Sequence, residues 1–375
     1  MAWVVKRTDA DGATRFQVRF RDVDGVKRTA GTYASRREAV KAGRRSDGRV
    51  EDGTWINPAS GRVTFRNYVE QSWWPSRHLE ISTKAAYRSY LDHHFIPFFG
   101  HMPMNTITAS AVQAWVTKAA AAGLSPSSIT KYHVMLHGIF KRAVRDRVIA
   151  HNPCADTELP KAPPRKRRIL TPQEFERLLQ ELPDRFRDLV LTDIETGLRW
   201  GELVALRPRH VDFLRRLISV EEAVVEVSKR NSPTGERMVF KPYPKDREFR
   251  TLRISSDLTE RLAARAQHMN LNRDDLFFPS TIDRGPIPLS RNTFRTRYWR
   301  PALNRADITF GVRMHDLRHA HASWLLAGGA DLKTVMDRLG HAQIQTTQKY
   351  LHTLPDADDQ ALDAFTRIRS RGMHT

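Results

Sequence analysis

The first part of the chain alternates between hydrophobic and polar residues with a period of two, which is typical of β-strands. Two Asp-Gly pairs separate the alternating runs, and this pair favours the tight turn of an antiparallel hairpin. Ser35, a residue type that favours helix N-termini, then precedes a segment of helical periodicity. Residues 1–57 are therefore predicted to form a three-stranded sheet followed by one helix, with strands near 3–5, 16–20 and 26–33.

Residues 62–154 change to the 3.6-residue period of amphipathic helices, which predicts a compact helical bundle. The residues predicted to begin its helices are Thr64 or Arg66, Ser82, Thr108 and Ser125. The residues predicted to end helices are Pro97 with Gly100, and Gly123. The apolar stripes predict a core that includes Trp115, Ile129, Val134, Ile139 and Phe140.

Prolines and basic residues interrupt this pattern over residues 155–168, which predicts a linker. Beyond it, Thr171 and Glu174 have the spacing of a helix capping box and begin a third domain over residues 169–375. Helical segments there surround short strands predicted at 217–220, 222–227, 238–241 and 251–254. The chain is thus predicted to be α+β and mostly helical, and the third domain to be mixed α/β with a small antiparallel sheet.

The charge of the chain indicates the kind of partner it binds. Lys and Arg number 62 against 42 Asp and Glu, and the net charge of +20 favours a polyanion such as nucleic acid. The single cysteine, Cys154, excludes an internal disulfide and a multi-cysteine zinc site. No run approaches the roughly 18 apolar residues of a membrane span, so we expect a cytoplasmic protein without a membrane partner.

Two segments of the third domain place arginine where it could bind an anionic group. The first segment is TGLRWGEL, residues 196–203, in which glycines on both sides of Arg199 predict a tight turn that directs this side chain into a cleft. Glu202 in the same segment is predicted to brace an arginine or the turn. In HDLR, His315 and Arg318 share a helix face because they lie three residues apart. Arginine suits phosphate oxygens, and histidine exchanges protons near neutral pH. Taken alone, HDLR is usually a surface histidine and arginine, and TGLRWGEL would be a capped helix end with a solvated arginine.

A third segment, LGHAQIQTTQKYLH, is predicted to begin where a helix ends at Gly340. Asp331 is predicted to cap that helix at its other end. A loop would begin at His341, and a short helix would carry Tyr350. Seen in isolation, a tyrosine on a short helix is usually a packing residue.

Taken in order, these segments resemble the tyrosine recombinase family, the phage-type integrases. The motifs are TGLRWGEL, PKDREFRTLRI on a basic hairpin, HDLRHAHASWLLAGG and LGHAQIQTTQKYLH. The step of nine residues from His341 to Tyr350 fits the pattern of that family. The helical bundle resembles the family's core-type DNA-binding domain, and residues 1–57 resemble the arm-site-binding domain of its longer members. The resemblance covers nearly the whole chain.

The resemblance implies a site-specific recombinase that cleaves and rejoins DNA through a 3′-phosphotyrosine, and so integrates or excises a mobile genetic element. Tyr350 would be the nucleophile. Arg199 and Arg318 would bind the non-bridging oxygens of the scissile phosphate. Two arginines stabilise the charge that develops on such a phosphate without a metal, and the phosphotyrosine conserves bond energy, so no cofactor is expected.

Three further side chains would complete the catalytic set. His315 would assist proton transfer, and His341 would donate a hydrogen bond to the phosphate. Lys245, near the turn of the basic hairpin, would protonate the departing 5′ oxygen, and Lys241 on the same hairpin is the alternative for that role.

The implied partner is double-stranded attachment-site DNA, bound by a homotetramer, with a host bending protein and an excision factor as accessory partners. Two basic surfaces could contact phosphates. One is the linker cluster, which comprises Arg165, Lys166, Arg167 and Arg168. The other is an exposed face of the N-terminal sheet, which is predicted to carry Arg15, Arg19, Arg21, Lys27 and Arg28. Either set of residues could instead be an ordinary solvated surface.

Two other functions remain compatible with the sequence. A type IB topoisomerase-like enzyme would use the same chemistry without exchanging strands between duplexes. A DNA-binding regulator would keep the fold without catalysis. The tail, residues 356–369, predicts a short helix that packs either on its own domain or on a neighbouring subunit.

Overall fold

The computed structural model describes four stretches of the chain, which are residues 1–163, 168–244, 249–280 and 287–340. Contacts between residues divide the chain into two compact units. The first comprises Met1–Leu79 and Ala86–Pro164, and the second comprises Glu80–Ala85 and Arg165–Thr375. Helices predominate in both units, so the α+β, mostly helical class is confirmed. Within the described stretches, no helix is both long and apolar enough to cross a membrane.

The N-terminal part of the first unit is an antiparallel sheet with one helix against it, as predicted. Its elements are β1 (Trp3–Thr8), β2 (Thr14–Arg21), β3 (Lys27–Tyr33) and α1 (Arg36–Glu51). Strand β2 is central, and its residues Val18 and Phe20 are buried. The Ser35 hydroxyl accepts a hydrogen bond from the backbone N–H of Glu38, which begins α1 as the sequence indicated.

The two faces of this sheet differ in charge, and one predicted basic residue lies on the wrong face. Arg21 is paired across the sheet with Lys27, and both are exposed. Arg28 is paired with the buried Phe20 and therefore shares its face. There the Nε of Arg28 donates to the Asp22 carboxylate at 2.8 Å, and its guanidinium lies 5.9 Å from the centre of the Trp55 ring. The prediction was wrong for Arg28, because consecutive residues of a strand point to opposite faces and Lys27 occupies the exposed face with Arg21.

The rest of the first unit is a helical bundle. Its helices are α2 (Phe65–Tyr68), α3 (Ile81–Tyr90), α4 (Ile96–Phe99), α5 (Ala109–Ala121) and α6 (Pro126–Arg145). Single π-turns, Val69–Trp73 and Leu91–Phe95, extend α2 and α3. The predicted caps Thr64, Thr108 and Ser125 each accept a backbone hydrogen bond. Four of the five predicted core residues are buried, namely Trp115, Ile129, Ile139 and Phe140.

Three predictions for the bundle were wrong. Ser82 does not cap α3, which already begins at Ile81. Pro97 does not end a helix but lies in the first turn of α4, where a backbone N–H has no partner within the helix. The π-turn that precedes α4 changes the backbone hydrogen-bond pattern there, so that the chain continues as a helix through the proline. Val134 is 64% exposed, because it lies about 100° around α6 from the buried His133.

The second unit builds its core from helices around two small antiparallel sheets. Its helices are α7 (Pro172–Gln180), α8 (Asp184–Thr196), α9 (Trp200–Leu203), α10 (Ser256–His268), α11 (Arg291–Phe294), α12 (Arg300–Arg305), α13 (Met314–Ala327) and α14 (Leu332–Leu339). The Thr171 capping box is present at α7. The side chain of Asp331 caps α14, and Gly340 ends it in a left-handed conformation, as the sequence predicted.

The predicted strands of this unit are all present, but they form two sheets instead of one. The predicted strands are β5 (Leu217–Val220), β6 (Ala223–Glu226), β7 (Met238–Lys241) and β8 (Arg250–Arg253). A further short strand, β4 (Val211–Asp212), precedes them. Strands β4, β5 and β8 form one sheet, and β6 and β7 form a separate hairpin.

Candidate active site

The turn between α8 and α9 positions Arg199. Gly197 ends α8 with a φ of +62°, a conformation that glycine adopts most readily. A Cβ at this position would lie 2.7 Å from Cδ2 of His321, so the close packing also requires glycine. A Cβ at Gly201 would lie 2.3 Å from the carbonyl oxygen of Val224 on β6. Gly197 thus lets the end of α8 pack closely against α13, and Gly201 lets α9 pack closely against β6, with Arg199 between the two glycines.

Arg199 is held on two sides. Its Nη1 donates to the Glu202 carboxylate at 3.0 Å, and its Nη2 donates to the carbonyl of Gly340 at 2.9 Å. The same carboxylate accepts the backbone N–H of Arg199 at 3.0 Å. The Arg199 side chain is 22% exposed and lines a cleft of about 1030 Å³. It is therefore fixed in direction while its surface remains accessible from the cleft.

Glu202 is the buried anion of the site, and Arg250 on β8 is its second cationic partner. The Glu202 side chain is 1% exposed, and Arg250 donates to both of its oxygens, at 3.3 and 2.6 Å. Burial alone would raise the pKa of Glu202. The hydrogen bonds and charge of Arg250, together with Arg199, outweigh burial and lower that pKa, so Glu202 is an ionised brace.

Helix α13 carries the HDLR residues. His315 in its first turn is exposed, lines the same cleft and packs edge-on against the ring of His319 at 4.8 Å between centroids. Arg318, one turn further, is 1% exposed. Its Nη1 donates to the carbonyl of Gly197 at 2.5 Å, and its Nη2 donates to the carbonyl of Leu339. Arg318 thus joins the end of α8 to the end of α14.

Two buried titratable groups pack around the arginines. Asp193 of α8 lines the cleft and is 3% exposed, and its Oδ1 has no hydrogen-bond partner among the described residues. Burial raises the pKa of Asp193 well above its usual value, despite the charge of Arg318. His321 donates from Nδ1 to the carbonyl of Ile194 at 2.8 Å. Burial, reinforced by the charge of Arg338, lowers the pKa of His321 to about 3, so its imidazole is neutral at pH 7.

The alternative lysine, Lys241, lies at the end of β7 and lines the cleft. It forms an ion pair with Glu80, a residue of the same unit, and lies 4.3 Å from the centre of the Tyr243 ring.

The remaining predicted site residues divide into two groups. Lys245, His341, Tyr350, Arg165, Lys166 and Arg167 lie outside the described residues, as does the predicted tail helix. Arg168 is described and donates to Glu174 at 2.5 Å, with its guanidinium 4.3 Å from the Phe310 ring. The structure brings Arg199, His315 and Lys241 together around one cleft within the second unit, and it buries Arg318 beside them, against the carbonyl of Gly197. The described residues contain no cluster of three or more His, Cys, Asp or Glu side chains placed to bind a metal ion.

Sequence reasoning missed Arg250 and Asp193. Arg250 lies on a basic strand, where one arginine among several has no distinguishing pattern. Asp193 precedes TGLR by three residues, and no spacing rule marks it. An acidic residue on an otherwise apolar helix face, next to Ile194, was the one signal available.

Comparison with known proteins gives two family matches. The model described as the phage integrase family matches residues 168–356, and that described as the phage integrase N-terminal SAM-like domain matches residues 64–120. A putative prophage phiRv2 integrase of Mycobacterium tuberculosis is 29% identical over 323 residues, which cover 83% of this chain and 82% of that protein.

Solved structures with a similar fold include two integrases bound to DNA. The Tn1549 transposon integrase in complex with transposon right end DNA has a TM-score of 0.65 at 18% identity, over 82% of this chain and all of that one. A lambda integrase dimer bound to a COC′ core site has a TM-score of 0.59 at 20% identity, over 92% and 93% of the two chains. Lambda integrase as a tetramer bound to a Holliday junction has a TM-score of 0.55 at 21% identity, over 90% and 95%. The family matches, together with the ordered motifs, establish that this chain belongs to the phage integrase family of site-specific tyrosine recombinases, the enzymes that cut and rejoin DNA strands.

Proposed function

We propose that this recombinase integrates or excises a mobile genetic element by cleaving double-stranded attachment-site DNA with Tyr350 as the nucleophile. The observation that carries the proposal is the meeting of Arg199 and Arg318 at adjacent carbonyls, those of Gly340 and Leu339. These carbonyls directly precede the segment that contains His341 and Tyr350. The arrangement favours a phosphate bound by two guanidinium groups beside the chain that supplies the nucleophile.

In the proposed reaction, side chains of the protein transfer the protons and stabilise the negative charge. The phenolic oxygen of Tyr350 attacks the phosphorus, its proton leaves with the assistance of His315, and the bond from phosphorus to the 5′ oxygen breaks. Lys245, with Lys241 as the alternative, gives a proton to the departing 5′ oxygen. The reverse reaction with the 5′ hydroxyl of a second duplex rejoins the strand. One phosphodiester bond is exchanged for another, so the exchange needs no ATP.

Charge development explains why arginines should flank the phosphate. Attack adds negative charge to the equatorial oxygens, and preorganised donors in a site of low polarity stabilise it most strongly. Arg318 is almost fully buried and Arg199 is braced by Glu202, so neither side chain must reorganise when that charge develops. His341 is proposed to donate to the same phosphate.

Different segments of the chain are proposed to contact different parts of the DNA. Residues 62–154 and 169–375 would hold the crossover core, the basic linker 155–168 would contact the backbone between them, and residues 1–57 would bind arm sites. A homotetramer is proposed to act on the DNA, with a host bending protein and an excision factor as accessory partners. The tetramer of lambda integrase on a Holliday junction supports this assembly by analogy of fold. The cytoplasm of a bacterial host is the proposed location.

A covalent adduct on a nicked suicide substrate tests the proposed function. In such a substrate the 5′-hydroxyl fragment diffuses away, and the phosphotyrosine accumulates. We expect a denaturation-resistant protein–DNA complex in the presence of EDTA and without ATP, and peptide mapping should locate the DNA on the peptide that contains Tyr350. A regulator without catalysis would give no adduct. A topoisomerase-like enzyme would form the adduct and relax supercoils but would not exchange strands between two attachment sites.

The basic face of the N-terminal sheet gives a prediction with a matched control. Replacing Arg19 and Arg21 by Gln should weaken arm-site binding and reduce the salt slope of log K by about 0.9 for each phosphate that is no longer neutralised. Replacing Arg36 and Arg37, which are exposed in the first turn of α1, removes the same charge from the same region. Fluorescence anisotropy at several salt concentrations measures both variants. Equal losses for the two pairs would mean that only net charge matters and that the sheet face has no particular role.

A further inference from the structure

The C-terminal end of α14 binds three arginine side chains through three consecutive backbone carbonyls. The last carbonyls of a helix have no partner within the helix and carry the negative end of its dipole, so cations are stabilised there. Nε of Arg250 donates to the carbonyl of Arg338 at 3.0 Å, and Nη2 of Arg318 donates to the carbonyl of Leu339. Nη2 of Arg199 donates to the carbonyl of Gly340 at 2.9 Å. Two of the three donors are the proposed phosphate ligands. The role of the third, Arg250, is unassigned.

Arg250 differs from Arg199 in its surroundings. Its side chain is 7% exposed, and among the described residues it is not one of those that line the cleft. All three of its donor groups are engaged, because Nε reaches Arg338 while Nη1 and Nη2 reach the two oxygens of Glu202. Because the side chain is buried outside the cleft lining and each of its three nitrogens already bonds within the protein, Arg250 is placed to act through its neighbours.

The neighbour that matters is Glu202, since its Oε1 accepts from both Arg250 and Arg199. We propose that Arg250 is a positioning residue that fixes Glu202 against the end of α14 and thereby directs Arg199 at the scissile phosphate. The inference rests on the proposed role of Arg199. Without Arg250, the Glu202 carboxylate would have one guanidinium partner instead of two and could turn toward Arg199, and the Arg338 carbonyl would lose its donor.

The geometry explains why arginine is required at this position. A guanidinium has donors in a rigid planar fork, and here the fork spans a carboxylate on one side and a carbonyl on the other. The single ammonium of lysine keeps the charge but does not reproduce these three directed bonds. A charge-conserving substitution therefore separates the positioning role from simple charge compensation.

Single-turnover cleavage of the suicide substrate by the full-length protein tests this role. For Arg250→Gln we expect DNA affinity within about twofold of the unsubstituted protein. The cleavage rate at saturating protein should fall about 10- to 100-fold, because small displacements of a positioned group have effects of this size. Arg250→Lys should likewise bind DNA with nearly unchanged affinity and cleave it more slowly. It should fold even if the Gln variant does not. The control is Arg253→Gln, three residues along β8 and exposed, which should cleave at the unsubstituted rate. An unchanged rate for Arg250→Lys would overturn the proposal.

A double substitution shows whether Arg250 acts through Arg199. If it does, Arg199→Lys combined with Arg250→Lys should cleave within about threefold of Arg199→Lys alone, because interacting residues are not additive. Losses that multiply would show an independent, merely structural contribution and would also overturn the proposal. If Arg199→Lys itself cleaves normally, then the proposed phosphate clamp fails, which is a different result and is visible in the single variant.

Discussion

Tyr350→Phe is expected to form no covalent protein–DNA adduct while binding core-site DNA as the unsubstituted protein does. The substitution removes one oxygen and keeps the aromatic ring, so interactions that depend on shape remain. Loss of a covalent nucleophile costs on the order of 10⁴-fold or more in rate, which would place the residual reaction below detection. The measurement is a gel that separates covalent adduct from free DNA after denaturation, together with a mobility shift for binding.

The matched variant for this experiment is Tyr243→Phe. Tyr243 donates its hydroxyl to Glu80 at 3.3 Å, and it is the tyrosine that lines the cleft among the described residues. We expect adduct formation to persist in this variant. Adduct formation by Tyr350→Phe together with its loss in Tyr243→Phe would show that Tyr243, and not Tyr350, is the nucleophile.

Arg318→Lys is expected to lower the single-turnover cleavage rate by roughly 10²- to 10³-fold, the range for loss of one directed donor to a developing anion. Lysine keeps the positive charge but does not reproduce the fork that reaches Gly197 and Leu339. DNA affinity should change by less than about threefold, because the net charge is the same and Arg318 is almost fully buried.

The same substitution has a cost in stability that must be measured in parallel. A carbonyl left without its donor in a buried site costs about 1–3 kcal/mol, so the melting temperature should fall by several degrees. Arg313→Lys, just before α13 and with a side chain 71% exposed, is the control and should leave both melting temperature and rate unchanged. If Arg318→Lys loses binding and cleavage in equal proportion, then Arg318 docks DNA and does not stabilise the reaction.

Local signals predicted most of the secondary structure. Ser35, Thr108 and Ser125 each cap a helix in the structure because an N-cap bond forms between residues only a few positions apart. The three N-terminal strands and the four strands predicted in the second unit are present for a similar reason, since alternation and turn residues act over short distances. The errors at Pro97 and Val134 arose where the packing of whole helices decided the outcome.

The candidate site was predictable only in part. Motif order in the sequence identified Arg199, His315 and Arg318. The structure places Arg199 and His315 in one cleft, and it buries Arg318 so that its guanidinium and that of Arg199 bond to adjacent carbonyls. Nothing in the spacing of residues could indicate that Arg250 and Arg199 share the Glu202 carboxylate, because β8 and α9 are brought together by folding. The face of Arg28 is a different case, because alternation along β3 already places it opposite to Lys27.

The sequence by itself determined the chemical groups of this recombinase and the order of its elements, because caps, turns and periodicity depend on neighbouring residues. Only the tertiary structure decided which arginines meet at the end of α14 and which of them faces the cleft. The physical reason is that burial and shared hydrogen-bond acceptors are properties of distant segments that folding brings together. A guanidinium group becomes a phosphate ligand or a brace according to the partners that folding places around it.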